Sequence, residues 1–512
     1  MLFRSETPMD SPTGQAPAEA TRLVRGLGLI DATMIVVGSM IGSGIFIVSA
    51  KSMTILGSPG WLLAAWAIAG VLTITGALCC AELAAMMPRA GGQYVFLREA
   101  YGSATGFLFG WTLFFVVQTG TIAAVAVAFA IFMGVLTPTI SENAHIIHPI
   151  HLGSYAITLS TQQLVAILLI VFLTLTNTRG LKTGKLIQNT FTFTKTAALI
   201  GLIVVGLLLG RNAGSAGYAS NWWNPWANAG WNPSAAQSGL QTTNGLWLVM
   251  LLGIAMVGPL FAQSAWNNVT FTGSEIRDPG RNLPRALLIG CGAVVLLYLL
   301  ANLAYVVTLP LNVFPALRVP PDTVATEAMK MALGPTGMVL MAIAIMISTF
   351  GCNNGLILAG ARIYYAMARD GVFFKKAGNL SARHVPVAAL IAQGIWTCLL
   401  TLPRTVTTDS KTGQFIYGSV YGQLLDYVVS ADLIFYALMV GAVFVMRRKA
   451  PELERPYRTL GYPVVPVIYI LIALLLVIDL AYLTPTTSGI GYLLVLAGIP
   501  VYLIWRRQAK AV

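Results

Sequence analysis

The chain has 512 residues, 56% of them hydrophobic and only 10% charged, with a mean hydropathy of +0.76. So little charge cannot cover the surface of a soluble protein of this length, and apolar runs long enough to cross a hydrocarbon core of about 30 Å recur throughout. The runs are too long, and alternate too little, for a β-barrel; the expected fold class is an all-α polytopic membrane protein.

Residues 1–28 are polar and lack the short apolar segment and small-residue cleavage site of a signal peptide. They are expected to form a disordered cytoplasmic tail. Twelve apolar spans follow, at approximately 29–51, 60–85, 104–136, 161–178, 186–210, 242–274, 286–309, 336–366, 386–403, 424–447, 463–483 and 488–505. With the N-terminus inside, the outside segments hold only Lys51, Arg211, Arg318, Lys330, Arg404 and Lys411, while most other Lys and Arg fall inside. The net charge of +13 is thus an orientation signal rather than a nucleic-acid patch. Both termini are expected in the cytoplasm, 506–512 forming the second tail. The five cysteines, Cys79, Cys80, Cys291, Cys352 and Cys398, fall in apolar runs and read as buried thiols.

The first span contains "GSMIGSGIF", with Gly38, Gly42, Ser43 and Gly44 near its middle. Glycine costs roughly 1 kcal/mol relative to alanine inside a helix. Irregular backbone at membrane depth is tolerated only where it lines a cavity or is buried in protein. Two readings stand: a GxxxG packing face, or a break at Gly42-Ser43-Gly44. Between the third and fourth spans, His145, His148 and His151 have zinc-ligand spelling in a loop interrupted by Pro149, a poor setting for a metal site; no metal is expected. Lys195 stands alone in the apolar fifth span, and an intramembrane ionisable residue is a functional candidate. The segment 211–241 carries four tryptophans in "SNWWNPWANAGWNPS", as a cap over a cavity mouth or as interface anchors.

The sixth span contains "GPLFAQSAWNN", in which Pro259, Gln263, Ser264, Asn267 and Asn268 interrupt the apolar run. It lies about 220 residues and five spans beyond the first break. Five is odd, so a second five-span unit would be inverted relative to the first, the layout of a transporter with broken helices at the midplane. The expected divisions are 29–210 and 242–447 for the two repeats, the loop 211–241 between them, and 463–505 for two further helices. A broken helix offers N–H donors and partial positive charge on one side, C=O acceptors and partial negative charge on the other. That suits a zwitterion such as an amino acid. Asp426 and Asp432 in the tenth span and Asp479 in the eleventh read as proton sites or as helix caps. Glu82, Arg89, Glu275, Arg281 and Arg362 lie near inner span ends and read as a cytoplasmic gate of ion pairs, with the pairing open.

"GSMIGSGIF", "AELAAMMPRAGGQYVFLREAYG" and "SEIRDPGRNLPRAL" resemble signatures of the amino acid–polyamine–organocation (APC) superfamily. "NTRGLKTGKLIQNTFTFTKTAALIG" and "FGCNNGLILAGARIYYAMARDGVF" are similar to its L-type (LAT) branch and prokaryotic relatives, and "RPYR" at Arg455–Arg458 fits more weakly. The resemblance implies a LeuT-like fold of five spans repeated inverted, plus two. It also implies a substrate site built from Met40, Ile41, Gly42, Ser43 and Gly44 with Phe261, Ala262, Ser264, Ala265 and Asn267. The amides of Gly42 to Gly44 and the Ser43 hydroxyl would hold the carboxylate. The Met40 carbonyl and carbonyls near Phe261 and Ser264 would hold the ammonium, with Phe261 as a lid. Lys195 resembles a stand-in for a sodium ion, with Ser348, Thr349 and the backbone near Gly38 or Gly42 as partners. It serves either as a static tether or as a group that takes up and releases a proton.

No HExxH, P-loop or GxGxxG motif is present, so neither an enzyme nor a cofactor is expected. The reading is a sodium-independent secondary transporter of amino acids, exchanging them or moving them with protons. Neutral substrates are favoured because Gln118 and Asn267 are the polar candidates in the third and sixth spans, while Asp426 keeps a cationic substrate open. The rivals are a polyamine permease of the same fold and a non-transporting sensor or channel. In the eukaryotic LAT branch a heavy subunit is tethered through a cysteine between the third and fourth spans. Residues 137–160 hold no cysteine, so no disulfide-linked subunit is expected. The expected location is a cell membrane, a prokaryotic inner membrane in the simplest case.

Overall fold

The structure, a computed structural model, describes residues 26–88, 91–179, 184–218, 222–224, 245–311, 323–381, 385–408 and 412–510. Arg89, Trp226, Trp231 and residues 1–25 lie outside the described residues. The helices are α1 (Leu29–Met40), α2 (Gly44–Leu56), α3 (Pro59–Met86), α4 (Gln93–Tyr101), α5 (Ser103–Leu136), α6 (Thr161–Thr178), α7 (Gly184–Leu208) and α8 (Gly245–Ala255). There follow α9 (Val257–Ala262), α10 (Asn268–Phe271), α11 (Pro279–Thr308), α12 (Val324–Arg369), α13 (Val387–Leu400), α14 (Val420–Lys449), α15 (Val464–Leu483) and α16 (Ser488–Lys510). Among the described residues nine helices are long and apolar enough to cross a membrane, and α1 with α2, bent by 43° at their break, makes a tenth. Two shorter apolar helices, Leu248–Ala262 and Val387–Leu400, stand where the sequence places the sixth and ninth spans. The chain is a multi-pass membrane protein.

Local sequence accounts for many helix ends. Ser58 accepts the Trp61 N–H at 3.4 Å and Pro59 takes the first helical position of α3, where its missing N–H would be unpaired anyway. Ser160 and Gln163 form a capping box at the start of α6. Arg447, Arg448 and Lys449 fill the last turn of α14, where the helix dipole favours cations. The first span runs to Leu56, past Lys51. The seventh begins at Pro279. The eighth starts as far back as Val324, with a non-helical kink at Gly334.

The all-α expectation needs correction. Strands β1 (His145–Leu152), β2 (Tyr155–Ser160), β3 (Pro403–Thr408) and β4 (Phe415–Tyr417) form an antiparallel sheet in that spatial order. It joins the connection after α5 to the connection after α13. Along β2, Ala156, Thr158 and Ser160 are buried while the residues between them are not, the period-2 pattern of a half-buried strand. Arg404, wholly buried, ties the sheet together. Its guanidinium donates to the carbonyls of Glu142 (2.7 Å), Gly418 (2.8 Å) and Tyr417 (3.3 Å), and lies 3.5 Å from the Glu142 carboxylate. Burial pushes the Glu142 carboxyl above its usual range, with Arg404 opposing. His145, His148 and His151 all lie on β1, and His151 Nε2 is 3.2 Å from the Tyr417 hydroxyl. Among the described residues no three His, Cys, Asp or Glu side chains are grouped to hold a metal. Trp222 and Trp223 dock on the start of α3: the Trp222 carbonyl accepts the Gly60 N–H and the Trp223 carbonyl accepts the Trp61 indole N–H, each at 2.9 Å.

Candidate substrate site at the broken spans

A helix that stops inside a membrane leaves C=O groups at one end and N–H groups at the next without intrahelical partners. At the end of α1 three successive carbonyls are met by side chains from three helices. Lys195 of α7 donates to Gly38 O. Cys352 of α12 reaches Ser39 O at 3.8 Å, and Tyr298 of α11 donates to Met40 O at 2.9 Å. Lys195 is 1% exposed, and its ammonium sits at the helix end where the dipole is negative. Of its expected partners on α12, Thr349 spends its hydroxyl on Ile345 O (2.9 Å), and the buried Ser348 hydroxyl has no partner among the described residues. The α12 side chain beside Lys195 is Cys352.

At the start of α2 the only turn bond is Phe46 N–H to Ser43 O at 3.1 Å; the amides of Gly42, Ser43, Gly44 and Ile45 have no acceptor among the described residues. The Ile41 amide still bonds Val37 O. The buried Ser43 hydroxyl lies 3.0 Å from the hydroxyl of Tyr421 on α14, and the Tyr421 ring meets Phe261 edge to face at 6.2 Å. Phe261 is itself buried at 6% exposure.

The sixth span breaks between α9 and α10, over residues 263–267. Pro259 does not start the break as its position in the sequence suggests; it lies within α9, where Met256 precedes the helix. Ser264 gives both its N–H (3.1 Å) and its hydroxyl (2.7 Å) to Phe261 O, which occupies that carbonyl. The carbonyls of Leu260 and Ala262 accept nothing among the described residues. Ala265 adopts a left-handed φ of 65°, a conformation that costs a non-glycine residue on the order of 1–3 kcal/mol and marks functional sites. The Asn267 amide donates to Gln93 Oε1 at 2.8 Å, so it is held by α4 rather than free for a substrate.

The two breaks touch. A Cβ added to Gly44 would stand 2.5 Å from Ala262 Cβ and 2.8 Å from its Cα, so only glycine allows this approach. The segments that carry these amides and carbonyls, none of them partnered among the described residues, are thus in contact. A cavity beside the break is lined by Gln118 and Thr121 of α5, Ser264, Asn267 and Asn268, and Asp432 of α14. Gln118 donates to Leu356 O at 2.7 Å, and the π-helical turn Leu113–Val117 directly precedes it; such turns recur at functional sites.

The charged residues expected to form the gate fall in two separate groups. Glu82, 1% exposed, takes Arg447 in a bidentate pair (2.9 and 2.7 Å) and the Thr459 N–H (2.7 Å), with Arg455 at 3.8 Å. Glu275 lies 3.3 Å from Arg362. Arg281 makes no ion pair among the described residues. Sequence reading missed Tyr298, Tyr421, Cys352, Gln93 and Arg447. Each is an ordinary residue for its position, and only the fold brings it to the site.

The amino acid permease family profile matches residues 27–504. The chain belongs to the amino acid permease family. This permease is 29% identical over 496 residues to the large neutral amino acids transporter small subunit 2 of Mus musculus, covering 95% of this chain and 83% of that one. It is 29% identical over 494 residues to the b(0,+)-type amino acid transporter 1 of Homo sapiens, covering 95% and 89%. The resemblance carried by the sequence motifs holds, as does the expectation of a transporter rather than an enzyme.

Proposed function

We propose that the permease is a sodium-independent secondary carrier that moves neutral amino acids by alternating access, as an exchanger or with protons. The observation that carries this reading is the contact of the two breaks at Gly44 and Ala262, beside amides and carbonyls that have no partner among the described residues. The substrate carboxylate takes the Gly42–Ile45 amides and the Ser43 hydroxyl. Its ammonium takes the free carbonyls of α9. Tyr421 and Phe261 close the pocket on one side, and the Glu82–Arg447–Thr459 cluster closes the opposite end. Lys195, fixed on Gly38 O at the end of α1, stands where a coupling cation would bind, either as a static tether or as a proton carrier. Two inverted five-span units, 29–210 and 242–447, within twelve spans complete the account.

The neutral substrate rests on the similarity to a transporter named for large neutral amino acids. The buried Asp432 carboxylate in the cavity beside the break favours a second reading, in which a cationic side chain is accepted. "Small subunit" in that relative's name implies a companion chain. All five cysteines here lie in helices and none in 137–160, so an association through this loop would be non-covalent. Uptake of labelled amino acid into proteoliposomes, with and without internal amino acid and with and without a proton gradient, tests the proposal. Uptake stimulated by either supports it; no uptake under any of these conditions refutes it and favours a sensor.

A further inference from the structure

The α15 span is strongly apolar, yet it carries one acidic residue, Asp479. Leu475, Ile478 and Tyr482 of the same helix are 65–66% exposed on the bundle surface. The two Asp479 carboxyl oxygens are buried, and neither has a hydrogen-bond partner among the described residues. They press on Gly253 of α8: a Cβ there would run into Asp479 Oδ2 and come within 3.5 Å of Leu476 Cδ2. Gly253 thus makes room for a carboxyl group on the first piece of the interrupted sixth span, one short helix away from the break that forms the candidate site.

The elements packed on α15 are α14, α8, α3 and α16. From α3 and α14, Cys79, Cys80, Asp432 and Tyr436 gather around Tyr469, ten residues from Asp479 and so roughly 15 Å along the helix. Also on α14, Asp426 is taken by Lys51 at 3.8 Å and Thr487 at 3.1 Å, and Tyr427 lies 3.0 Å from Tyr155. From α16, Tyr492 gives its hydroxyl to Val477 O. The α8 sequence has no titratable residue. Among the described residues no cation or donor reaches Asp479.

An ionised carboxylate whose oxygens are buried without a partner is strongly disfavoured, whereas the neutral acid is tolerated far better. We infer that Asp479 is a proton-binding residue of the permease, protonated while α8 packs on α15 and ionised when the two helices separate. On separation the proton passes to the water that enters; on closure the carboxylate takes one back from water. The link to transport rests on the carrier reading above, whereas the protonation itself does not.

Infrared spectroscopy of the purified full-length permease in lipid reads the protonation directly. At neutral pH the wild type should show the carbonyl stretch of a protonated carboxylic acid. Asp479→Asn should lose that band, and Asp432→Asn should keep it. Gly253→Ala, which drives the carboxyl out of its place, should weaken it. A band of unchanged intensity in Asp479→Asn, or no band in the wild type, overturns the inference. For the link to transport, uptake should depend on pH in the wild type and lose that dependence in the near-isosteric Asp479→Asn. An unchanged pH dependence overturns the link while leaving the band to decide protonation. Absence of uptake in both proteins counts against the carrier reading instead.

Discussion

Gly44→Ala perturbs the contact between the two breaks. The added methyl would stand 2.5 Å from Ala262 Cβ and 2.8 Å from its Cα, whereas carbon atoms pack best at about 3.5–4.0 Å. The breaks must therefore move apart by about 1 Å. Overpacking of this kind costs roughly 1–3 kcal/mol, and each 1.4 kcal/mol is about a factor of ten in affinity. If the substrate bridges the amides of α2 and the carbonyls of α9, Gly44→Ala should weaken amino acid binding about 5- to 150-fold. Adding Ala262→Gly removes the closer of the two clashes and should recover part of the loss. Gly201→Ala is the control: a Cβ at Gly201 of α7 meets nothing within 4 Å, so binding should not change. Equilibrium binding of labelled amino acid to the purified permease measures all three variants. Wild-type affinity in Gly44→Ala would refute the idea that this contact builds the site.

Two further outcomes follow from the ionic contacts. Lys195→Met strips the donor from Gly38 O in a site that is 1% exposed; the loss of a hydrogen bond from a charged group, roughly 1.5–3 kcal/mol, should lower the thermal unfolding midpoint and impair uptake. Unchanged stability together with an unchanged pH profile of uptake would remove Lys195 from the account. Glu82→Gln breaks the bidentate pair with Arg447 and weakens the acceptor of the Thr459 N–H. Breaking a buried pair costs roughly 3–5 kcal/mol, here an upper bound because Arg447 is 23% exposed. Hydrogen exchange at the Thr459 amide should accelerate, and exchange at the wild-type rate would show that Glu82 does not hold this end shut.

The parts of the site that were legible in sequence are those in which a residue offends its surroundings. Gly42, Ser43 and Gly44 are poor helix formers in an apolar run, Gln263 to Asn268 are polar at membrane depth, and Lys195 is a charge among apolar neighbours. Each carries its signal locally. Tyr298 and Tyr421 carry none, because a tyrosine in a membrane span resembles the interface anchors found in any such protein; only the crossing of α11 and α14 past the first break gives their hydroxyls a role. The partner of Glu82 lies 365 residues away at Arg447, beyond any pattern of spacing, so sequence alone leaves the pairing open. The sheet was missed because its strands are three to eight residues long and lie in segments that hydropathy marks only as connections. The Phe261 carbonyl illustrates a subtler limit: its place in the break is readable, but that Ser264 already occupies it depends on how the chain turns after α9.

The central claim is that the paired breaks recognise the two charged groups common to all amino acids through main-chain atoms. Competition for labelled amino acid binding tests it most directly, using one substrate amino acid, its methyl ester, its N-acetyl derivative and its decarboxylated amine. If the claim holds, the free amino acid competes and the three derivatives fail, because each lacks one partner of the amide–carbonyl pair. Competition by the decarboxylated amine as strong as that of the amino acid would contradict it and would make the protein a carrier of organic cations instead.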